Sequence, residues 1–264
     1  MGVTSLSLFR FERPRDKLWA FNQMALARWP LARIPDIAFF KLMGTGTREG
    51  FHPYPNFSVC GILAAWPSFE IGHDRIAHSR VFQSYRRRAA EDWTVFLAPT
   101  QCRGSWDGTA PFAVDGDWPC GGAQDGAPVA VITRATIRPR HVLAFWRQVP
   151  DIARTTRTQD GLGFKIGLGE IPWFHQVTFT IWRDLAAMEQ FAFTGYHRAA
   201  IAEVHKGDWF SEAQFARFRV LHSQGNWKDA PALAGRLPYR GSTTTGQVAA
   251  RTMVGRDRDL VPLG

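Results

Sequence analysis

Residues 164–182 read FKIGLGEIPWFHQVTFTIW, and the pattern of this stretch decides the fold. Apolar and polar residues alternate on both sides of Pro172. β-branched and aromatic side chains dominate the second part. That is the period of strands rather than helices, so Phe164–Ile171 and Trp173–Trp182 are expected to form a strand pair. Upstream, Val129–Ile137 (VAVITRATI) reads as another strand. Arg140–Arg157 reads as a helix that carries His141, Phe145, Trp146 and Val149 on one side. Downstream, Asp184–Lys206 is helical with an interruption at Gly195, and Ala213–Leu221 is a last strand. The order is β-α-β-β-α-β.

The same order occupies the first part of the chain. Val3–Phe11 alternates as a half-buried strand, and Asp16–Ala32 has Leu18, Trp19, Met24, Leu26 and Trp29 at helical spacing. Phe39–Thr47 and Asn56–Trp66 read as strands, Ile71–Ala90 as a helix and Trp93–Ala98 as a strand. Local details repeat too: Lys41-Leu42-Met43-Gly44 parallels Lys165-Ile166-Gly167-Leu168. The fold expected is α+β, with duplicated ferredoxin-like β-α-β-β-α-β units forming a dimeric-type α/β barrel within one chain. Residues 1–106 would be the first half, 107–128 a Gly/Pro/Asp-rich linker and 129–227 the second half. Residues 228–264 would be an irregular basic tail.

Eleven Trp and twenty Phe against four Tyr supply more flat apolar surface than a core of this size needs. The surplus suits either an aromatic core or a cavity for a large flat or polyene ligand. Cys60, Cys102 and Cys120 are odd in number and form no C-x-x-C pair, which argues against zinc, an iron–sulfur cluster or a disulfide framework. No signal peptide is read at the N-terminus, and no apolar run reaches bilayer length. The formal charge of +9 favours acidic partners. Arg86, Arg87 and Arg88 read as a solvated helix face, and without a recognition module nucleic acid is excluded.

No nucleophile elbow, Walker loop or metalloprotease motif is present. Gly44-Thr45-Gly46 lacks the third glycine and following helix of a nucleotide loop and reads as a strand-end turn. Among eight histidines no pair has metal-chelating spacing. His197 stands out because a helix over Tyr196–Lys206 puts it in the same apolar stripe as Ile201 and Val204. On spacing alone a core histidine fits as well as a ligand. His205, the alternative, falls beside Lys206-Gly207, where a helix would end.

Three stretches resemble the spheroidene monooxygenase family of carotenoid biosynthesis. They are Leu6–Phe11, then Phe40–Gly46 with Gly50-Phe51, and Phe191–Phe218. The last contains His197-Arg198-Ala199-Ala200, Trp209-Phe210-Ser211-Glu212 and Phe215-Ala216-Arg217-Phe218 in one order. The likeness runs from the first strand to Asn226-Trp227 and leaves the tail uncovered. The resemblance implies a dimeric α/β barrel carrying haem iron, which uses O2 and electrons from reduced ferredoxin. It implies oxidation near the end of an acyclic carotenoid to hydroxy and then keto products. His197 would then be the axial ligand, with His205 as alternative. Arg198 and Arg217 are candidates for the haem propionates, because guanidinium matches carboxylate bidentately.

Three alternatives share these features: another haem enzyme of the same superfamily (a dehydratase or peroxidase-like relative), a non-catalytic haem or carotenoid carrier, and a cofactor-free barrel oxygenase. A cytoplasmic location with a peripheral contact on the membrane face is expected. Residues 29–41 (WPLARIPDIAFFK) are the candidate contact, by their apolar weight and flanking Arg28, Arg33 and Lys41. A homo-oligomer is compatible with the composition.

Overall fold

In the computed structural model, residues 2–48, 50–112, 114, 126–157, 159–193, 207–228, 230, 231 and 233 are described. Eight antiparallel strands form one sheet: β1 (Val3–Arg10), β2 (Phe39–Gly46), β3 (Pro55–Trp66), β4 (Glu91–Gly104), β5 (Val129–Ile137), β6 (Leu162–Leu168), β7 (His175–Trp182) and β8 (Phe210–Asn226). Their order is β2-β3-β1-β4-β8-β5-β7-β6. Each half therefore contributes four strands. Counting strands within each half, the order from the β4–β8 junction outward is 4-1-3-2 both times. The edge strands β2 and β6 meet through one bridge. Gly44 N–H donates to the Gly169 carbonyl (3.0 Å), and Gly169 N–H donates to that of Gly44 (2.9 Å). This closes the sheet on itself.

Inward residues from both halves form one apolar core. It includes Leu6 and Leu8 of β1, Val95 and Leu97 of β4, Ile132 of β5, Phe179 of β7 and Phe218 of β8. Two residues at a strand spacing of i, i+2 point to one face, so each strand contributes alternate side chains. Trp106 and Phe112, just beyond β4, are buried in the same core. Of the stretch read as a linker, Phe112 thus belongs to the barrel filling while 107–110 are exposed, and 115–125 lie outside the described residues. Of the tail, Ala230 and Leu233 pack against this core.

The outer face of the first half is covered by α1 (Pro14–Leu26), α2 (Arg28–Ala32), α3 (Phe69–His78) and α4 (Arg80–Arg86). Phe9, Ile62, Trp66 and Phe96 pack there against Ala20, Ile76, Phe82 and Tyr85. β1 is therefore buried on both faces rather than half-buried. Its polar side chains are satisfied internally: Trp66 Nε1–H donates to Ser5 Oγ (2.8 Å), and the hydroxyls of Ser7 and Thr94 share a bond of 2.8 Å. The single helix expected over Ile71–Ala90 is two helices. Ser79, in extended conformation at ψ 137°, ends α3 and caps α4 by accepting from Phe82 N–H.

The second half carries α5 (Val142–Arg157), entered through a 3-10 turn at Pro139–His141, and α6 (Leu185–Phe193). His141 stacks on Trp209, with ring centroids 5.5 Å apart and planes at 8°. Trp146 Nε1–H donates to the Trp173 carbonyl (3.0 Å). The strand read as Phe164–Ile171 stops at Leu168, and β7 starts at His175. Trp173 has φ +73° and sits in the turn between them. A bulky residue there is strained backbone, and such strain concentrates at functional sites.

Candidate functional site: a small-residue sheet face and a cleft at the barrel seam

Two features, one on the second half and one between the halves, are built for something other than packing. The first is the outer face of its sheet. Register places Gln176, Ala135 and Ala213 in one row across β7, β5 and β8. Thr178, Thr133 and Phe215 form the next row, and Thr180, Val131 and Arg217 the third. Ala135, Thr178 and Arg217 stand where the first half has Phe9, Ile62 and Phe96. Thr133 and Ala213 are exposed on this face. Aromatic pairs stand to its sides: Trp182 stacks with Phe191 (5.0 Å), and Phe145 meets Phe210 (6.0 Å). The result is a shallow floor of short side chains between aromatic walls. Arg217, half-buried on it, has Nη1 3.5 Å from Glu189 Oε1.

The second feature is the seam. Beyond the single Gly44–Gly169 bridge the two edge strands part and leave a cleft of about 270 Å³. Its walls come from α1 (Phe21, Met24), β3 (Phe57, Val59), β6 (Leu168) and Trp146 of α5. The loop after β2 crosses β6 so closely that a Cβ on Gly50 (φ +88°) would lie 1.9 Å from the Gly167 carbonyl oxygen. Only glycine permits that approach. Gln176 belongs to the cleft and to the first row of the floor, so the two features adjoin.

Glu170 and His175 form the polar end of the cleft, and behind them lies a network of charges. Glu170 Oε1 is 3.0 Å from Lys41 Nζ, and its Oε2 accepts from Trp106 Nε1–H (3.0 Å). Arg134, whose side chain is 1% exposed, binds Glu212, donates to Asp107 Oδ1 (3.1 Å) and lies 3.8 Å from Glu170. Lys41 also pairs with Asp107. Glu212 accepts from Ser105 Oγ–H (2.8 Å) and from the N–H groups of Gly108 (2.8 Å) and Asp107 (3.1 Å). Burial alone would raise the Glu170 carboxyl. Contacts with His175, Lys41 and Trp106, together with the Lys41 charge, outweigh it and hold the group at about 2. Burial opposes ionisation of Glu212 as well, but Gly108, Ser105, Arg134 and Asp107 hold it at about 2. Both are firm carboxylates at neutral pH. His175 Nδ1 lies 3.4 Å from Glu170 Oε2, off the direction of a hydrogen bond, and is buried without one. Burial pushes the Cys60 thiol far up, so this cleft-lining sulfur is no nucleophile.

Of the residues read as a site, Arg217 is in place on the floor, while His197, Arg198 and the alternative His205 lie outside the described residues. Among the described residues no group of three His, Cys, Asp or Glu is arranged to hold a metal ion. The sequence reading missed the network altogether. Its signal was Arg134, a cation in line with the inward Ala130 and Ile132 of VAVITRATI.

No family model matches the chain. Individual relatives do. The spheroidene monooxygenase of Rhodobacter capsulatus is 41% identical over 241 residues, which span 91% of this chain and 99% of the relative. The chain belongs to the spheroidene monooxygenase family. The spheroidene monooxygenase of Cereibacter sphaeroides is 38% identical, covering 92% of this chain and 74% of its own length. That of Rubrivivax gelatinosus is 34% identical over 81% of each. Family membership makes the protein a monooxygenase, an oxidoreductase. Among solved structures, an aldoxime dehydratase (OxdRE) in complex with butyraldoxime superimposes with a TM-score of 0.57 at 11% identity. It covers 89% of this chain and 84% of that one, a likeness of fold.

Proposed function

We propose that the protein is a haem-dependent monooxygenase acting near the end of an acyclic, spheroidene-like carotenoid, giving hydroxy and then keto products with O2 and electrons from reduced ferredoxin. The observation that carries this reading is the identity with spheroidene monooxygenases across nearly the whole chain, combined with an apolar cleft beside a small-residue floor. We further read the two halves, which share one strand order, as duplicated ferredoxin-like units.

The residues present fit a haem. A flat apolar ring with acidic edges needs a face without bulky side chains, aromatic walls and a cation. The short side chains of Ala135, Ala213, Thr133, Thr178 and Val131 supply most of that face, Phe215 an aromatic ring within it, and Arg217 at the border the cation. His197 would hold the haem iron (His205 being the alternative), and Arg198 and Arg217 would pair with the propionates. Haem supplies the activation of O2. The chain's own groups have other tasks. Phe21, Met24, Phe57 and Leu168 take up an apolar chain by excluding water, and Trp146 holds the Trp173 turn through its carbonyl. Glu170, ionised and tied to Lys41, stays an acceptor and does not give up a proton at neutral pH. A net charge of +9 suits an acidic electron donor such as ferredoxin.

The test is the visible spectrum of the purified protein with and without added haemin. The wild type is expected to show a Soret band, and His197→Ala to lose it. Thr133→Trp fills the floor from an exposed position, so the variant should fold normally yet take up haemin more than about tenfold more weakly, the loss expected when a bulky ring blocks a flat site. A wild-type protein that binds no haemin, or a Thr133→Trp variant that binds as the wild type does, overturns the reading.

A further inference from the structure

α1 carries apolar side chains on both its faces. Its exposed face consists of Leu18, Phe21, Asn22, Ala25 and Leu26, and continues into Trp29 of α2. These are positions i, i+3, i+4, i+7, i+8 and i+11, a single helical stripe. Leu18 is 63% exposed, Phe21 55%, Leu26 66% and Trp29 63%. The face turned to the body carries Asp16 and Ala20, buried, with Trp19 and Met24 packed against the core. An apolar stripe of this size turned to solvent marks an interaction surface. Residues 29–41, the contact expected from the sequence, contribute little else. Leu31 and Ile34 are buried, and Phe39 packs against Trp106 and Phe112.

Three observations identify what covers the stripe. Lys17, Arg28 and Arg33 border it, and none has a carboxylate within 4 Å among the described residues; Arg33 lies over the Trp29 ring at 3.3 Å. The stripe is also continuous with the seam cleft. Phe21 is at once a member of the stripe and a wall of the cleft, where its ring meets Phe57 edge-on at 5.3 Å. Tyr54, Phe57 and Ile171, all exposed, extend the apolar rim around the mouth. Finally, the geometry disfavours a second copy. A two-fold contact through this stripe would bring the bordering cations of both copies together, whereas an anionic interface would neutralise them.

We propose that the exposed face of α1 and α2 docks on an anionic lipid leaflet, with the mouth of the seam cleft against the acyl chains, so that a hydrophobic substrate passes from bilayer to cleft without crossing water. The substrate part rests on the carotenoid reading above, but the docking part does not. Apolar side chains sink into the headgroup–acyl boundary while the cations stay at the phosphates, which is the arrangement of an interfacial helix.

The experiment is flotation of the full chain with phosphatidylglycerol/phosphatidylcholine vesicles and with pure phosphatidylcholine vesicles. The variant is Leu18→Ser/Leu26→Ser/Trp29→Ser, whose positions are exposed and outside the cleft walls. The wild type is expected to bind the anionic vesicles, less tightly at high salt, and the neutral ones about tenfold more weakly or worse. The triple variant should lose about tenfold or more in binding while keeping the wild-type circular dichroism and haemin spectrum. Failure of the wild type to bind anionic vesicles overturns the proposal, as does a folded triple variant that binds as well as the wild type. Lipid-free self-association that the triple variant abolishes also overturns it, and assigns the stripe to a second copy. Vesicle binding is read without turnover, so a protein that floats but takes up no haemin would refute the haem reading and leave the docking surface standing.

Discussion

Replacing Glu170 with Gln removes a charge while keeping its shape, and the consequence can be worked out from the network. In the folded protein the carboxyl titrates at about 2, against an ordinary 4.5. A shift of that size corresponds to about 3 kcal/mol of stability at pH 7, at about 1.4 kcal/mol per pH unit. The contribution is complete above the unfolded value. As pH falls through 4.5 the unfolded chain takes up the proton first, and stability drops until both states are protonated near pH 2. The Glu170→Gln variant has no such dependence. Its amide can still accept from Trp106 Nε1–H, and Lys41 keeps Asp107, so the loss at pH 7 should be about 2–3 kcal/mol. Urea unfolding followed by Trp fluorescence at pH 7, 5, 4 and 3 measures the gap between the two proteins. Acids outside the network titrate alike in both and cancel in the difference, and the residual change at Asp107 and Glu212, which share Arg134 with Glu170, is part of the gap. The gap should hold from pH 7 to 5 and shrink to about 1 kcal/mol at pH 3. A gap that is flat across this range, or absent at pH 7, would refute the claim that the network holds Glu170 ionised in the folded state.

Tyr85 makes the opposite case. Its ring packs on Phe9 (5.0 Å) and Trp19 (5.0 Å), yet its hydroxyl is buried without a partner. Tyr85→Phe should therefore be neutral or stabilising by up to about 1 kcal/mol in thermal melts, and a loss above about 1 kcal/mol would mean the hydroxyl is satisfied. Gly50→Ala meets both a positive φ and the Gly167 carbonyl, so the loop must leave the seam. A cost of about 1–3 kcal/mol and faster proteolysis between β2 and β3 are expected, and wild-type proteolysis would contradict the close crossing.

Much of this fold could be read because strand period survives in a single sequence. Val129–Ile137 was bounded correctly by its alternation and by the Pro residues on either side. The misreadings have specific causes. Trp173 and Phe174 look like strand residues, but Pro172 and the left-handed backbone at Trp173 turn them out of the ladder. β4 runs past Pro99 to Gly104, because a register shift between Pro99 and Gln101 lets a proline sit in a strand against β8. The spacing of Leu18, Leu26 and Trp29 gave one helix over Asp16–Ala32 where the structure has α1 and α2, and periodicity reports that a stripe exists, not whether it faces core or solvent. The charge network was hidden for another reason. Lys41, Asp107, Arg134, Glu170 and Glu212 are far apart in the chain and meet only when the barrel closes.

The two halves share a strand order but use their outer faces differently, and the proposed haem reading rests on the second. Phe9, Ile62 and Phe96 fill the space between the first sheet and its helices; each buried side chain of that size contributes about 1.5–3 kcal/mol, so that face stabilises the barrel. Ala135, Thr178 and Arg217 hold the corresponding register positions and contribute less apolar burial, and Thr133 and Ala213 on the same face stay exposed. A packed face cannot admit a flat ring without a loss of several large contacts, whereas a floor of short side chains gives up almost nothing. Enlarging a residue on the second face should thus cost function and spare the fold, and truncating one on the first should do the reverse. The cleft follows the same logic. It opens at the one place where the barrel is held by a single pair of backbone hydrogen bonds, between glycines that bring no side chains to close it.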